Sequence, residues 1–135
     1  MQTHNFHDLK VWQASIDFVE RIYQVTSELP SEEKFGLISL IRRAAVSIPS
    51  NIAEGSGRGS DKDFARFLAI ALSSSYEVET QLVIIHRLGL MSESVIEEMT
   101  KSLYEIQKMT FTLHRKFEKR GNILLSFFGF LSAIF

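Results

Sequence analysis

A chain of 135 residues with a formal net charge of −1, 45% hydrophobic residues and no cysteine has the size of one domain built on a single core. The near-neutral charge excludes a protein that coats nucleic acid by bulk electrostatics, because non-specific affinity comes from Lys and Arg neutralising phosphates, so any nucleic-acid site is a local patch. Zero Cys removes disulfides, thiolate zinc sites and cysteine nucleophiles together, and the start MQTHNFHDLK lacks the charged-then-apolar layout of a signal sequence; the expectation is a cytoplasmic protein.

Asn5, three residues ahead of Asp8, predicts the cap of a first helix from about Asp8 to Glu28, stopped by Pro30. Its apolar residues form two series, Leu9, Trp12, Ile16, Val19, Tyr23 and Val11, Phe18, Ile22, Val25, Leu29. Together they cover an arc of roughly 200°, where a helix buried on one side needs little more than 100°. The first helix is therefore expected to bury two fronts. Ser31, followed by Glu32 and Glu33, predicts the start of a second helix to about Glu54. Pro49 lies inside that span and crowds the carbonyl of Ala45, which predicts a kink between them, with Ser47, Ser50 and Asn51 able to bond the freed backbone groups. Gly55, Gly57 and Gly59 then break the helix.

Ser60 and Asp63 resemble a capping box that opens a third helix. Phe64, Leu68, Ala71, Ser75, Val78, Leu82 and Ile85 follow at steps of four and three, which is a bundle seam. Gly89 ends it, and Ser92 or Ser94 caps a fourth helix whose seam is Ile96, Met99, Leu103, Ile106, Thr110, Leu113 and Phe117, closed by Gly121. Long helices with short connections and no period-two alternation predict an all-α fold, an antiparallel up-down-up-down four-helix bundle with a kinked second helix over residues 1–121. Residues 122–135 form a separate apolar tail.

Three stretches carry a family resemblance: RRAAVSIPSNIAEGSGR from Arg42 to Arg58, DLKVWQ from Asp8 to Gln13, and FARFLAIALSSSYEVETQL from Phe64 to Leu82. Together the chain resembles the 23S rRNA intervening-sequence proteins, with two departures: Leu40 where relatives carry Gln, and Ser73 where they carry Gly, the second expected to loosen a helix crossing. The resemblance implies a four-helix bundle and a homopentamer, since relatives form ring-like pentamers. It also points towards nucleic acid, since a related bundle is the accessory factor of diversity-generating retroelements.

Arg42, Arg43, Arg58 and Arg66 bracket the corner between the second and third helices and could form an RNA phosphate patch. The alternative is structural, with Arg42 and Arg43 paired to Glu54, Glu77 or Glu79. Asn51 and Glu54 could join the paired arginines in a polar network that sets subunit register; as a catalytic carboxylate Glu54 lacks any nearby nucleophile. The turn EGSGRGS could cradle an anion, though it lacks the GxxxxGK[ST] phosphate-loop pattern. No Glu-x-x-His pair supports a di-metal site, and only His4 and His7 are spaced to share a metal. The expectation is a protein that is not an enzyme and has no cofactor or metal: an oligomeric scaffold for assembly or partner binding, or alternatively an RNA-binding accessory protein.

The tail, GNILLSFFGFLSAIF from Gly121, is uncharged. As a helix its thirteen residues from Ile123 span only ~20 Å, short of a ~30 Å hydrocarbon core. Arg115, Lys116, Lys119 and Arg120 before it suit a membrane surface, while Ser126, Gly129 and Ala133 form a small-residue stripe suited to helix packing. Packing on the bundle or a neighbouring subunit is the favoured expectation, and membrane contact the alternative.

Overall fold

A computed structural model describes residues 5–134, with side chains as far as Asn122. The His4–His7 metal pair and the Ser126, Gly129, Ala133 stripe therefore lie outside the described residues. Among the described residues there is no strand. A 3-10 turn, Phe6–Asp8, leads to α1, Lys10–Thr26; a 3-10 turn at Ser31–Glu33 and a wide turn at Lys34–Ile38 lead to α2, Ser39–Ser56; α3 is Asp61–Arg87 and α4 is Glu93–Ile134.

Several boundaries differ from those the sequence suggests, each for a local reason. The Asn5 side chain accepts from the His7 N–H at 3.2 Å and so caps the 3-10 turn; Leu9, in an extended conformation, separates that turn from α1. Ser31 opens another 3-10 turn, and at Gly36 the backbone leaves helical space (φ −104°, ψ −111°), so α2 begins only at Ser39. Pro49 stands within the α-helical span of α2. Around it Ser50 Oγ donates to the carbonyl of Val46 at 2.9 Å and Asn51 Nδ2 to that of Ser47 at 2.8 Å, so neither bond goes to the Ala45 carbonyl, the acceptor that Pro49 leaves without its backbone donor.

Gly55 does not break α2: it is buried inside the helix, and the turn is made by Gly57 and by Gly59, whose φ of +82° favours glycine. Ser60 Oγ accepts from the Asp63 N–H at 3.1 Å and starts α3. At its other end Gly89 has φ +69°, and the Gly89→His86 and Leu90→Ile85 backbone bonds, 3.0 and 3.1 Å, complete a left-handed C-cap. Ser92 Oγ accepts from Val95 N–H and α4 follows. That helix passes through Gly121 and continues to Ile134. Gly121 is buried against the first turn of α3, where an added Cβ would stand 3.4 Å from the backbone of Lys62, so it permits a close approach and does not terminate the helix.

The seam of α3 is buried at every predicted position, and that of α4 at every position except Leu113, which is half-buried. Each fully buried Ile, Leu or Phe contributes about 1.5–3 kcal/mol of transfer free energy. Each helix packs on its neighbour in sequence, and α1 also packs on α4. Ser47 of α2 meets Ser74 of α3, and Gly55 meets Phe67; Glu79 of α3 meets Gln107 of α4, and Phe64 stacks on Phe117 with centroids 4.6 Å apart. In both pairs the residue numbers rise on one helix as they fall on the other, so α2–α3 and α3–α4 run antiparallel. Arg21 forks onto Glu98 with bonds of 2.6 and 2.8 Å and ties α1 to α4. By length and composition α3 could cross a membrane, but its apolar seam is the core of the bundle.

On α1 only one of the two apolar series is buried. Val11, Phe18, Ile22 and Val25 enter the core, whereas Trp12, Ile16 and Val19 are half-buried and Tyr23 is exposed.

Candidate functional site

The six polar residues singled out from the sequence separate into three groups. Arg42 turns towards α1: its Nε donates to Thr26 Oγ1 at 2.9 Å, its Nη2 to the Tyr23 carbonyl at 3.2 Å, and its guanidinium lies 4.5 Å from the Tyr23 ring centroid. It therefore satisfies the end of α1 and pairs with none of Glu54, Glu77 or Glu79; Glu79 instead accepts from Gln107. Arg43, next along the helix and rotated by 100°, is exposed and makes no ion pair among the described residues.

Asn51 forms the second group. It donates to Ser47 Oγ at 3.0 Å, and Ser47 Oγ lies 2.7 Å from Ser74 Oγ, a polar link across the α2–α3 interface. Glu54 is not in that network. It pairs with Arg58 one turn on, at 3.6 Å.

The third group is the corner itself. Arg58 and Arg66 lie on the ring of Phe67, with centroid distances of 4.9 and 4.7 Å, and Arg66 also pairs with Asp63 at 3.8 Å. Phe67 is buried, so its ring orients the arginines and is not a stacking platform for a base. Arg120 of α4 joins the same end of the bundle through Asp61, at 3.3 Å. Exposed ion pairs of this kind contribute little stability, about 0–1 kcal/mol each. The structure thus unites Arg58, Arg66 and Glu54 at one end, and sends Arg42 and Asn51 to separate interfaces. Thr26 and Phe67 were not identified from the sequence, Tyr23 entered there only as one of an apolar series and Arg120 only as a basic residue before the tail; Arg66 adjoins Phe67 in the chain, but the partners of Arg42 lie 16 and 19 residues away, and no spacing rule announces them.

Two apolar grooves are the other notable surface. Tyr76 and Val83 share the side of α3 that carries Glu79, the partner of Gln107, and Tyr104 and Phe111 share the side of α4 that carries Gln107, so all four flank the outer α3–α4 groove. Trp12, Ile16, Val19 and Tyr23 share the side of α1 reached by Arg42, and Val46 follows Arg42 by one turn, so these flank the outer α1–α2 groove. Tyr23, Val46, Tyr76, Val83, Tyr104 and Phe111 are each 38–51% exposed. Because α1 packs on α2 and α4, and α3 on the same two, the grooves lie on opposite flanks. Leu40 and Ser73 are exposed as well, so Ser73 loosens no crossing within this chain.

The structure resembles that of a protein of unknown function from the S23 ribosomal protein family of Bacteroides thetaiotaomicron VPI-5482, with a TM-score of 0.72 and 30% identity, covering 77% of this chain and 97% of that one. No curated protein matches the chain. The model of the 23S rRNA-intervening sequence protein family matches residues 7–112, which take in the central motif and the α3 seam, and the chain belongs to that family.

Proposed function

We propose that this protein is a non-enzymatic scaffold that assembles with copies of itself, most simply as a closed homopentameric ring, and presents repeated surfaces to partners. The observation that supports it is the pair of apolar grooves on opposite flanks of the bundle. A ring needs two different faces on each subunit, one to give and one to receive, and its rotation must close. A single apolar face would favour a two-fold dimer instead. The half-buried series on α1 fits the same reading, since helix-helix contact with a neighbour completes its second front.

The test is the solution mass of the full chain by light scattering, with one charged substitution in each groove. Val46→Asp and Tyr104→Asp are each expected to reduce the mass while leaving helix content unchanged. A mass of one chain for the unsubstituted protein at micromolar concentration removes the reading.

A nucleic-acid accessory role is the second reading, favoured by the clustering of Arg58, Arg66 and Arg120 at one end. Each of these is paired with a carboxylate, which weakens its attraction for phosphate. If RNA binds there, log affinity falls linearly with log salt concentration, and Arg58→Gln reduces the slope by about one contact.

A further inference from the structure

The continuation of α4 past Gly121 changes what the apolar C-terminal run can do. Arg120 forms an ion pair with Asp61, the first residue of α3, and Gly121 lies against Lys62, so residue 121 stands level with the start of α3. Leu9 and Val11, at the start of α1, lie beside Met109 and Leu113, lower still on α4. Neither α1 nor α3 begins early enough to run beside the helix from Asn122 to Ile134. A chain that turned back at Gly121 could pack on its own bundle; a helix that continues carries the run away from it.

Charge is polarised towards the same end. At the end from which the helix emerges stand seven basic side chains, Arg58, Lys62, Arg66 and the quartet Arg115, Lys116, Lys119 and Arg120, against the acids Glu54, Asp61, Asp63 and Glu118; Arg58, Arg66 and Arg120 are paired with three of these, so the surplus rests on Lys62, Arg115, Lys116 and Lys119, although the whole chain carries −1. The quartet occupies one arc of roughly 140° on α4, and all four are exposed, opposite buried Phe117 and Gly121. After Glu118 the chain contains no acid, and after Arg120 no charge.

We infer that residues 122–135 enter one leaflet of an anionic lipid bilayer, with the Arg115–Arg120 quartet at the headgroups, so that the bundle is held at a membrane surface. The run reaches ~20 Å along a helix, and the hydrocarbon core is ~30 Å thick, which fits insertion from one side and not a crossing. Lys and Arg just before an apolar segment place their charges among anionic headgroups while their stems lie along the apolar boundary. The inference is independent of the scaffold reading, because it rests on α4 beyond the family match at residues 7–112.

Flotation of the full-length chain with vesicles tests it, using phosphatidylcholine alone and phosphatidylcholine mixed with phosphatidylglycerol. The protein is expected to float with the mixed vesicles and to remain largely unbound with the neutral ones. Lys116→Gln combined with Lys119→Gln is expected to weaken binding about 25-fold, near fivefold per cation removed. Phe128→Asp combined with Leu131→Asp is expected to abolish flotation with no change in solution mass. Equal binding to neutral vesicles, or no flotation with either kind, overturns the inference. So does a fall in solution mass in the Phe128→Asp, Leu131→Asp protein without a loss of flotation, which assigns the run to packing between copies of the chain.

Discussion

Gly55 and Phe67 approach so closely that a Cβ on Gly55 would stand 2.6 Å from the Cβ of Phe67. Real carbon atoms do not approach to that distance, so this glycine sets how near α2 and α3 come at their shared corner. Phe67 in turn carries the guanidinium groups of Arg58 and Arg66. The glycine, the aromatic ring and the arginines are thus one packed unit.

Gly55→Ala is expected to destabilise the protein by about 1–3 kcal/mol, since overpacking outweighs the ~1 kcal/mol that alanine gains over glycine within a helix. Gly57→Ala is the control. Its nearest neighbour would be 3.7 Å away and its φ is −90°, so its midpoint of thermal unfolding should stay the same or rise slightly. Similar losses from both substitutions would show that the close approach at Gly55 is not what matters.

Pro49 is buried in α2 and cannot donate to Ala45. Pro49→Ala restores that backbone bond and is expected to raise stability on the order of 1–3 kcal/mol, by urea unfolding. A bend imposed by the proline that shapes a subunit contact gives a different result: reduced oligomer mass with helix content preserved. A loss of stability without either effect would mean that the proline ring is core packing in its own right.

How much of this was readable in advance depends on the range of the interaction. The seams of α3 and α4 could be read because their steps of three and four are a property of one helix, and a mismatch in phase would have exposed Leu68 or Leu103. The caps at Ser60, Gly89 and Ser92 are likewise local. Gly55 and Gly121 were misread as helix breakers because glycine serves two purposes, turn formation and close packing, and only the neighbouring helix decides between them. For Arg42 the sequence offered a phosphate patch or acidic partners, because charge suggests ionic contacts; its partners within the chain, the hydroxyl of Thr26 and the carbonyl of Tyr23, belong to the end of another helix. The opening of α2 moved from Ser31 to Ser39 because Gly36 adopts a conformation that no capping rule encodes.

Gln81 lies half-buried on α3 with its Oε1 shielded from solvent and unbonded. An unpaired buried acceptor costs about 1–3 kcal/mol, whereas replacing it by an apolar group of similar length removes that cost. Gln81→Met is therefore expected to shift the urea midpoint upwards with an unchanged m value. A lower midpoint together with a smaller oligomer would instead assign the amide to a neighbouring subunit.

The Arg21–Glu98 pair gives the protein a defined acid response. The hydrogen bond from Arg21 holds the Glu98 carboxyl below the ordinary carboxylate range, with desolvation opposing it and the Arg21 charge adding a smaller lowering; the same hydrogen bond raises the Arg21 value further above the range of any practical assay. A carboxyl depressed on folding contributes stability that is fully present above its unfolded value, about 4.3, and that disappears as pH falls through the lower folded value. Arg21 contributes no pH dependence in this window, because it stays charged in both states. Glu98→Gln should thus lower the urea midpoint at pH 7 and have a smaller effect at pH 3, below the unfolded carboxyl's value, where part of that stability has been lost. Both side chains are partly exposed, so the difference at pH 7 is small and should shrink in high salt. An equal effect of Glu98→Gln at pH 7 and pH 3 would show that the side chain acts by packing and not by charge.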